Sequence, residues 1–282
     1  MQAAPYVFVG GVDISHACLA ALCEQGLPPA LAVGYDASRA QASGYRDLGD
    51  LAERHGFPLV RTADVNDPEL VERIERLRPK LLYVLGWSQL VKPRLLAIPE
   101  HGSAGMHPTK LPEGRGRAPI PWTILKGLTE TACTLFLLAE GVDDGPIVGQ
   151  VPVNVDARED AGTLYAKHRA AHVALVREHT AALLAGTAPV AEQDHAAATY
   201  WERRRPEDGR IDWTASAAAV DRLVRAVTRP FPGAFTDDGA VIWRAEPAAG
   251  ADLPPGARFE RDGMPHVACG EGALRVIEAE GL

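Results

Sequence analysis

The run Leu81-Leu82-Tyr83-Val84-Leu85-Gly86 is apolar on both alternating faces. A strand of that kind must be covered on both sides, as in a parallel sheet wrapped by helices. The segments before it supply the wrapping. Pro5 to Val9 reads as a strand ended by Gly10-Gly11, and a helical pattern follows from Ser15 through Ala17, Leu19, Ala20, Leu22 and Cys23. Leu31 to Gly34 is a second strand, Leu48 to His55 a helix and Pro58 to Val60 a third strand. Asp67 is placed to cap the next helix, with Pro68 at its first position and its end near Arg78. This alternation predicts an α/β domain with a Rossmann-like parallel sheet, whose ligands sit beyond the carboxyl ends of the strands. The loop Gly86-Trp87-Ser88-Gln89 then faces the site. Gly10-Gly11 lacks the third glycine of the dinucleotide fingerprint, so a plain turn is the stronger reading there than a phosphate cradle.

The chemistry is concentrated between Gly105 and Gln150. Prolines and glycines crowd Gly105-Met106-His107-Pro108-Thr109-Lys110-Leu111-Pro112-Glu113-Gly114-Arg115-Gly116-Arg117-Ala118-Pro119 and again Gly141-Val142-Asp143-Asp144-Gly145-Pro146. Neither stretch can be helix interior or central strand, so both are loops of fixed shape. His107 precedes a proline, which holds its backbone extended, and Asp143 lies just before a Gly-Pro turn. A histidine and an aspartate on two such loops suit proton transfer, although a lone His-Pro is more often a capped or surface residue. Pro121 to Lys126 reads as a helix and Thr131 to Leu138 as a strand. The 36 positions from His107 to Asp143 thus hold one helix and one strand, which is expected to deliver residues 140–145 to the same rim as His107. Asp143 and Asp144, as neighbours in an extended loop, are expected to point opposite ways, so only one of them faces His107.

His107-Pro108-Thr109, Leu111-Pro112, Arg115-Gly116-Arg117-Ala118-Pro119, Trp122 and Asp143-x-Gly145-Pro146-Ile147 together resemble the formyltransferase family that uses 10-formyltetrahydrofolate. The family includes methionyl-tRNA formyltransferase and enzymes that formylate amino groups on nucleotide-linked sugars. The resemblance implies that His107 sits beside the formyl group and that Asp143 orients its ring and takes up the amine's proton. It also implies that Leu85, Gly86 and Trp87, with Arg115, Gly141 and Val142, line the folate pocket. Locally, Gly86 as a mere turn and Trp87 as packing remain equal alternatives. One position departs from the pattern: the family carries an asparagine two residues before the histidine, where this chain has Gly105. Ser103, Thr109, Lys110 or Ser88 is a candidate to replace its amide. The other readings are a related reaction with a shifted oxyanion, or a binding module without catalysis.

The rest of the chain narrows the partners. Asp160 is read as the cap of a helix to Leu184, on which His168 and His172 are four apart; a half-buried face explains them better than a metal, for which no further ligand has the spacing. A Gly-x-Ile-Asp-Trp at Gly209 to Trp213 resembles the family's entry to its second domain. The expected division is a catalytic domain over 1–190, a connector over 191–207 and a small, mostly β domain over 208–282, similar to the open barrel of tRNA-directed members. From Asp208 onward there are eight arginines, no lysine and twelve acidic residues. With a net charge of −8 over 282 residues, that tail disfavours nucleic acid. Arg203-Arg204-Arg205, the one strong basic run, is a solvated face or a phosphate contact.

The expected substrate is therefore a small amine, nucleotide-linked or similar, with methionyl-tRNA as the runner-up and a second copy of the chain left open as a partner. Met1-Gln2-Ala3-Ala4-Pro5 lacks the basic start of a secretory leader, and no apolar run is long enough to span a membrane, so a cytoplasmic protein is expected. Cys18, Cys23, Cys133 and Cys269 have no paired spacing and read as reduced packing residues.

Overall fold

The computed structural model describes residues 4–39 and 44–282, so residues 1–3, read above for a leader, lie outside it. Strands β1 (Ala4–Val9), β2 (Pro29–Tyr35), β3 (Leu59–Thr62), β4 (Leu81–Val84) and β5 (Ser103–His107) alternate with helices α1 (Asp13–Glu24), α2 (Gly49–His55), α3 (Pro68–Leu77) and α4 (Pro93–Leu96). The chain continues through β6 (Arg115–Gly116), α5 (Pro119–Leu125), β7 (Glu130–Leu137), β8 (Ile147–Asn154), α6 (Ala161–Ala185) and β9 (Tyr200–Trp201). Seven strands form one sheet in the order β3-β2-β1-β4-β5-β7-β8. From β3 to β5 all pairs are parallel, and β7 runs antiparallel to β5. No helix among the described residues is long and apolar enough to cross a membrane.

Contacts divide the chain into two units interleaved in sequence: 1–116, 131–153 and 167–200 in one, and 117–130, 154–166 and 201–282 in the other. The first is built on the apolar strands. Leu81, Leu82 and Tyr83 are fully enclosed, and Val7, Val9, Leu31 and Val33 pack with Leu70, Val71 and Ile74 of α3. That helix starts where its sequence says it should: the Asp67 carboxylate accepts the N–H groups of Glu69 and Leu70 at 3.0 and 3.1 Å. Gly10-Gly11 is a packing turn. The Ser15 hydroxyl accepts from Gly11 and Val12 at 3.2 and 3.3 Å and donates to the Leu85 carbonyl at 2.6 Å, so these amides are already engaged. A Cβ on Gly11 would stand 2.2 Å from the Tyr35 ring.

The second unit is smaller and antiparallel. Helix α7 (Ala217–Val227) precedes β10 (Ala234–Phe235), β11 (Val241–Ala248), β12 (Arg258–Arg261), β13 (Met264–Ala268) and β14 (Ala273–Glu280), whose order is β10-β11-β14-β13-β12. Helix α7 lies on β11 and β14, and α5 packs on α7. Its buried Asp221 is held by Arg158 at 2.8 Å and Arg225 at 3.0 Å.

Two histidines lie inside the first unit on α6. His168 is fully buried with neither ring nitrogen bonded among the described residues, and His172 donates from Nδ1 to the His168 carbonyl at 2.7 Å. Burial pushes His168 down from 6.5 to about 3 and His172 to about 4, with further lowering of His168 by His172 and of both by His107. Among the described residues no group of three His, Cys, Asp or Glu side chains is placed to hold a metal ion. Because both folded values lie below the unfolded one, the unfolded chain binds more protons on the acid side. Stability is then complete above pH 6.5 and is lost as pH falls toward 4 and 3. Each histidine should cost roughly 2 kcal/mol by pH 5. Urea unfolding at pH 7 and pH 5 checks this: His168→Leu should shrink the acid-side loss by about half, and it should not destabilise at pH 7, since no hydrogen bond is removed.

Candidate active site

His107 ends β5 with 6 % of its surface exposed. Its Nε2 lies 2.8 Å from the carbonyl oxygen of Gly114, which can only accept, so Nε2 carries a hydrogen and donates. Nδ1 is then the atom that gains or loses a proton. It faces Asp143 Oδ2 at 3.6 Å, beyond a direct hydrogen bond but within ion-pair reach. The same Oδ2 accepts the Gly116 N–H at 2.8 Å, while Oδ1 makes no bond among the described residues. Asp144 turns the other way, its carboxylate folded over Gly141, where a Cβ would meet Oδ2 at 1.9 Å.

The route by which Asp143 arrives differs from the sequence expectation. Residues 140–145 do not leave the sheet at the His107 rim. Leu137 pairs with Ala104, and the Leu138 N–H donates to the Ser103 carbonyl at 2.7 Å, so β7 ends beside the start of β5. A strand before a helix and a strand after it were assumed to run alike; β7 is reversed. The loop must therefore return over about the length of β5, roughly 13 Å for four steps of strand, and the five steps from 138 to 143 are long enough at roughly 3.4 Å each. It closes tightly. A Cβ on Gly145 would lie 1.9 Å from the Leu137 carbonyl, and Asp143 adopts the left-handed backbone with φ 51°.

Gly105 sits in the middle of β5, and the space a side chain would enter is taken. A Cβ there would stand 2.6 Å from Cδ2 of Leu138. The candidate replacements for an amide are differently placed. Ser103 Oγ donates to the Leu96 carbonyl at 3.1 Å, and Ser88 Oγ is engaged by Tyr35 and Arg39 at 3.1 and 3.0 Å. Thr109 is 1 % exposed with its hydroxyl unbonded, and Lys110 is exposed.

With this geometry in hand, comparison with known proteins is decisive for the family. The formyl transferase pattern matches residues 36–179, and the formyl transferase C-terminal domain pattern matches residues 203–281. The chain belongs to the formyl transferase family. Solved structures share its fold. A sugar 3N-formyl transferase, WlaRD, determined in the presence of dTDP and 5-N-formyl-THF, is 14 % identical with TM-score 0.71, each chain covered over 100 %. The N-formyltransferase from Helicobacter canadensis, in complex with folinic acid and dTDP-3-aminofucose, is 14 % identical with TM-score 0.72 over 98 % of this chain and 99 % of that one. HypX from Aquifex aeolicus, in complex with tetrahydrofolic acid, is 18 % identical with TM-score 0.69 over 99 % of this chain and 44 % of HypX.

A formyl transferase uses formyl-tetrahydrofolate, and the residues assigned to it here fall into two sets. Leu85 is fully enclosed, and its backbone is spent on Val9 and Ser15. By contrast, the backbone groups of Gly86, Trp87, Gly141 and Val142 make no hydrogen bonds among the described residues. Large apolar side chains stand exposed on the same loops, Leu90 at 70 % and Val142 at 53 %. Unspent backbone donors and acceptors beside exposed apolar surface fit a planar, hydrogen-bonding ring system. Trp87 itself stacks on Tyr35 with ring centroids 3.9 Å apart. Arg115 is placed otherwise: it is 1 % exposed and bonded to Gln193, Tyr200 and His195.

The sequence reading missed Gln193, Thr199 and Leu138. Thr199 Oγ1 accepts from Gly114 N–H and its carbonyl from Arg115 N–H, which shapes the His107 loop. A lone Gln or Thr in a polar connector carries no local signal, and Leu138 matters only through strand register. The packing at Gly105 yields a double-mutant cycle. Gly105→Ala should cost about 1–3 kcal/mol in urea unfolding, and combined with Leu138→Ala the two changes should couple by at least about 0.5 kcal/mol. Strict additivity would show that the two positions do not compete for one space.

Proposed function

We propose that this formyl transferase moves the formyl group of 10-formyltetrahydrofolate to the amine of a small substrate, a nucleotide-linked amino sugar or similar metabolite. The observation that carries the reading is the His107 and Asp143 pair, 3.6 Å apart with one carboxylate oxygen unengaged. The donor supplies an activated formyl carbonyl, held by the backbone of residues 86–87 and 141–142. As the amine nitrogen bonds the formyl carbon, Asp143 Oδ1 is the atom free to accept its proton. His107, its Nε2–H committed to Gly114, passes a proton from Nδ1 to the nitrogen that departs and takes up in its place the proton that Asp143 has accepted. Asp143 stays aligned because Gly116 N–H and the loop backbone hold it.

Two observations support a small amine. The two sugar N-formyltransferases that share the fold were determined with dTDP or a dTDP-linked amino sugar. In the C-terminal unit Arg210, Arg225, Arg229, Arg258 and Arg275 each pair with a carboxylate, which counts against a basic face for tRNA. One observation favours a second reading, a related one-carbon reaction with its oxyanion shifted: Leu138 stands where the family's asparagine would begin.

Release of tetrahydrofolate from 10-formyltetrahydrofolate, followed with a panel of nucleotide-linked amino sugars, should reveal turnover. His107→Asn and Asp143→Asn should each lower it at least about a hundredfold, and Asp144→Asn less than about tenfold. Failure to bind 5-formyltetrahydrofolate, together with no turnover on any amine, would sink the reading. Gly105→Asn paired with Leu138→Ala separates the two readings. A gain in formyl transfer marks a weakened amide-dependent site, and a loss marks the shifted oxyanion.

A further inference from the structure

Among the described residues Arg115 is the largest fully enclosed side chain, and its charge meets no carboxylate there. Its Nε and Nη2 both donate to Gln193 Oε1 at 3.2 and 2.7 Å. Nη1 donates to the Tyr200 hydroxyl at 3.0 Å, and Nη2 to His195 Nδ1 at 3.2 Å. A buried cation satisfied by neutral acceptors alone is costly compared with an apolar residue of the same volume, so stability does not explain it. The far end of Gln193 does. Its Nε2 donates to the carbonyls of Asp143 and Gly145 at 2.9 and 2.7 Å.

A glutamine amide can face either way, and here the sense is fixed by charge. Two guanidinium N–H groups converge on one oxygen, which forces the NH2 toward the loop. The loop is the segment that needs holding. It returns across β5 without secondary structure, and Asp143 sits at φ 51°, a backbone that non-glycine residues adopt only when their surroundings impose it. The Gln193 segment is itself anchored, since Ala191 and Ile147 exchange both backbone bonds at 2.8 Å.

We propose that Arg115 and Gln193 are positioning residues for Asp143. The guanidinium sets the sense of the amide, and the amide clamps residues 143–145 so that the carboxylate reaches His107 and Gly116. This rests on the proposed pairing of His107 with Asp143 in proton transfer.

Gln193→Glu tests it, because the change keeps an oxygen for Arg115 and gives it a counter-charge while removing both donors to the loop. The Gly116 amide, which donates to Asp143 Oδ2, should exchange its hydrogen at least about tenfold faster, while the Ile147 and Ala191 amides keep wild-type rates. In the formyl-transfer assay kcat should fall at least about tenfold with KM for 10-formyltetrahydrofolate within about twofold, as expected for misplacing a group that acts in the transition state. Should Gln193→Glu not fold, Arg115→Lys is read the same way, since a lysine replaces the two-pronged clamp by a single point charge. Wild-type exchange at Gly116 in the variant that folds would overturn the proposal. The exchange measurement needs no substrate, so absence of turnover in the unmutated enzyme would count against the proposed function and leave this result standing.

Discussion

The reversal of β7 against β5 is the constraint on which the site depends. A strand parallel to β5 would have delivered the acidic loop to the His107 rim directly. Instead the chain leaves the sheet beside Ser103 and comes back over the strand it has just paired with. Gly145 is pressed against the Leu137 carbonyl at the return, Asp143 is held in a left-handed conformation, and its carboxylate ends on Gly116 N–H beside His107. A loop so bent is not self-supporting, which is why a side chain from a distant part of the sequence bonds two of its carbonyls.

Buried polar groups around this loop are arranged for position more than for stability. His107 is fixed at one nitrogen by Gly114 and left exchangeable at the other. His168 and His172 stay neutral because burial disfavours their charged forms. The Asp143 carboxylate and the His107 imidazole are thus kept in a region where the neighbouring histidines add no charge of their own. Beside Gly105 the space a side chain would enter is filled by the apolar Leu138.

Much of the architecture was legible in the chain. The apolar run at Leu81 to Gly86, the Asp67-Pro68 start of α3 and the Asp160 start of α6 all followed from local rules, because burial on two faces and satisfaction of helix-end N–H groups are decided within a few residues. The approach of His107 and Asp143 was implied by the family resemblance, but the route expected for it, a loop leaving β7 at the His107 rim, is not the one the chain takes.

What stayed hidden depends on groups far apart in sequence. The direction of β7 is not written in its composition, because an apolar strand reads the same whichever way its neighbours run. That Leu138 fills the space beside Gly105 follows from register, and one residue of slip would have turned it to the other face. The resemblance placed Arg115 among the ligand contacts; the return of residues 193–200 encloses it instead. The sequence by itself determined which residues could carry protons and which segments had to be buried. The tertiary structure decided how the proton carriers are held, because a left-handed aspartate and a buried guanidinium persist only where distant backbone and side-chain partners meet them.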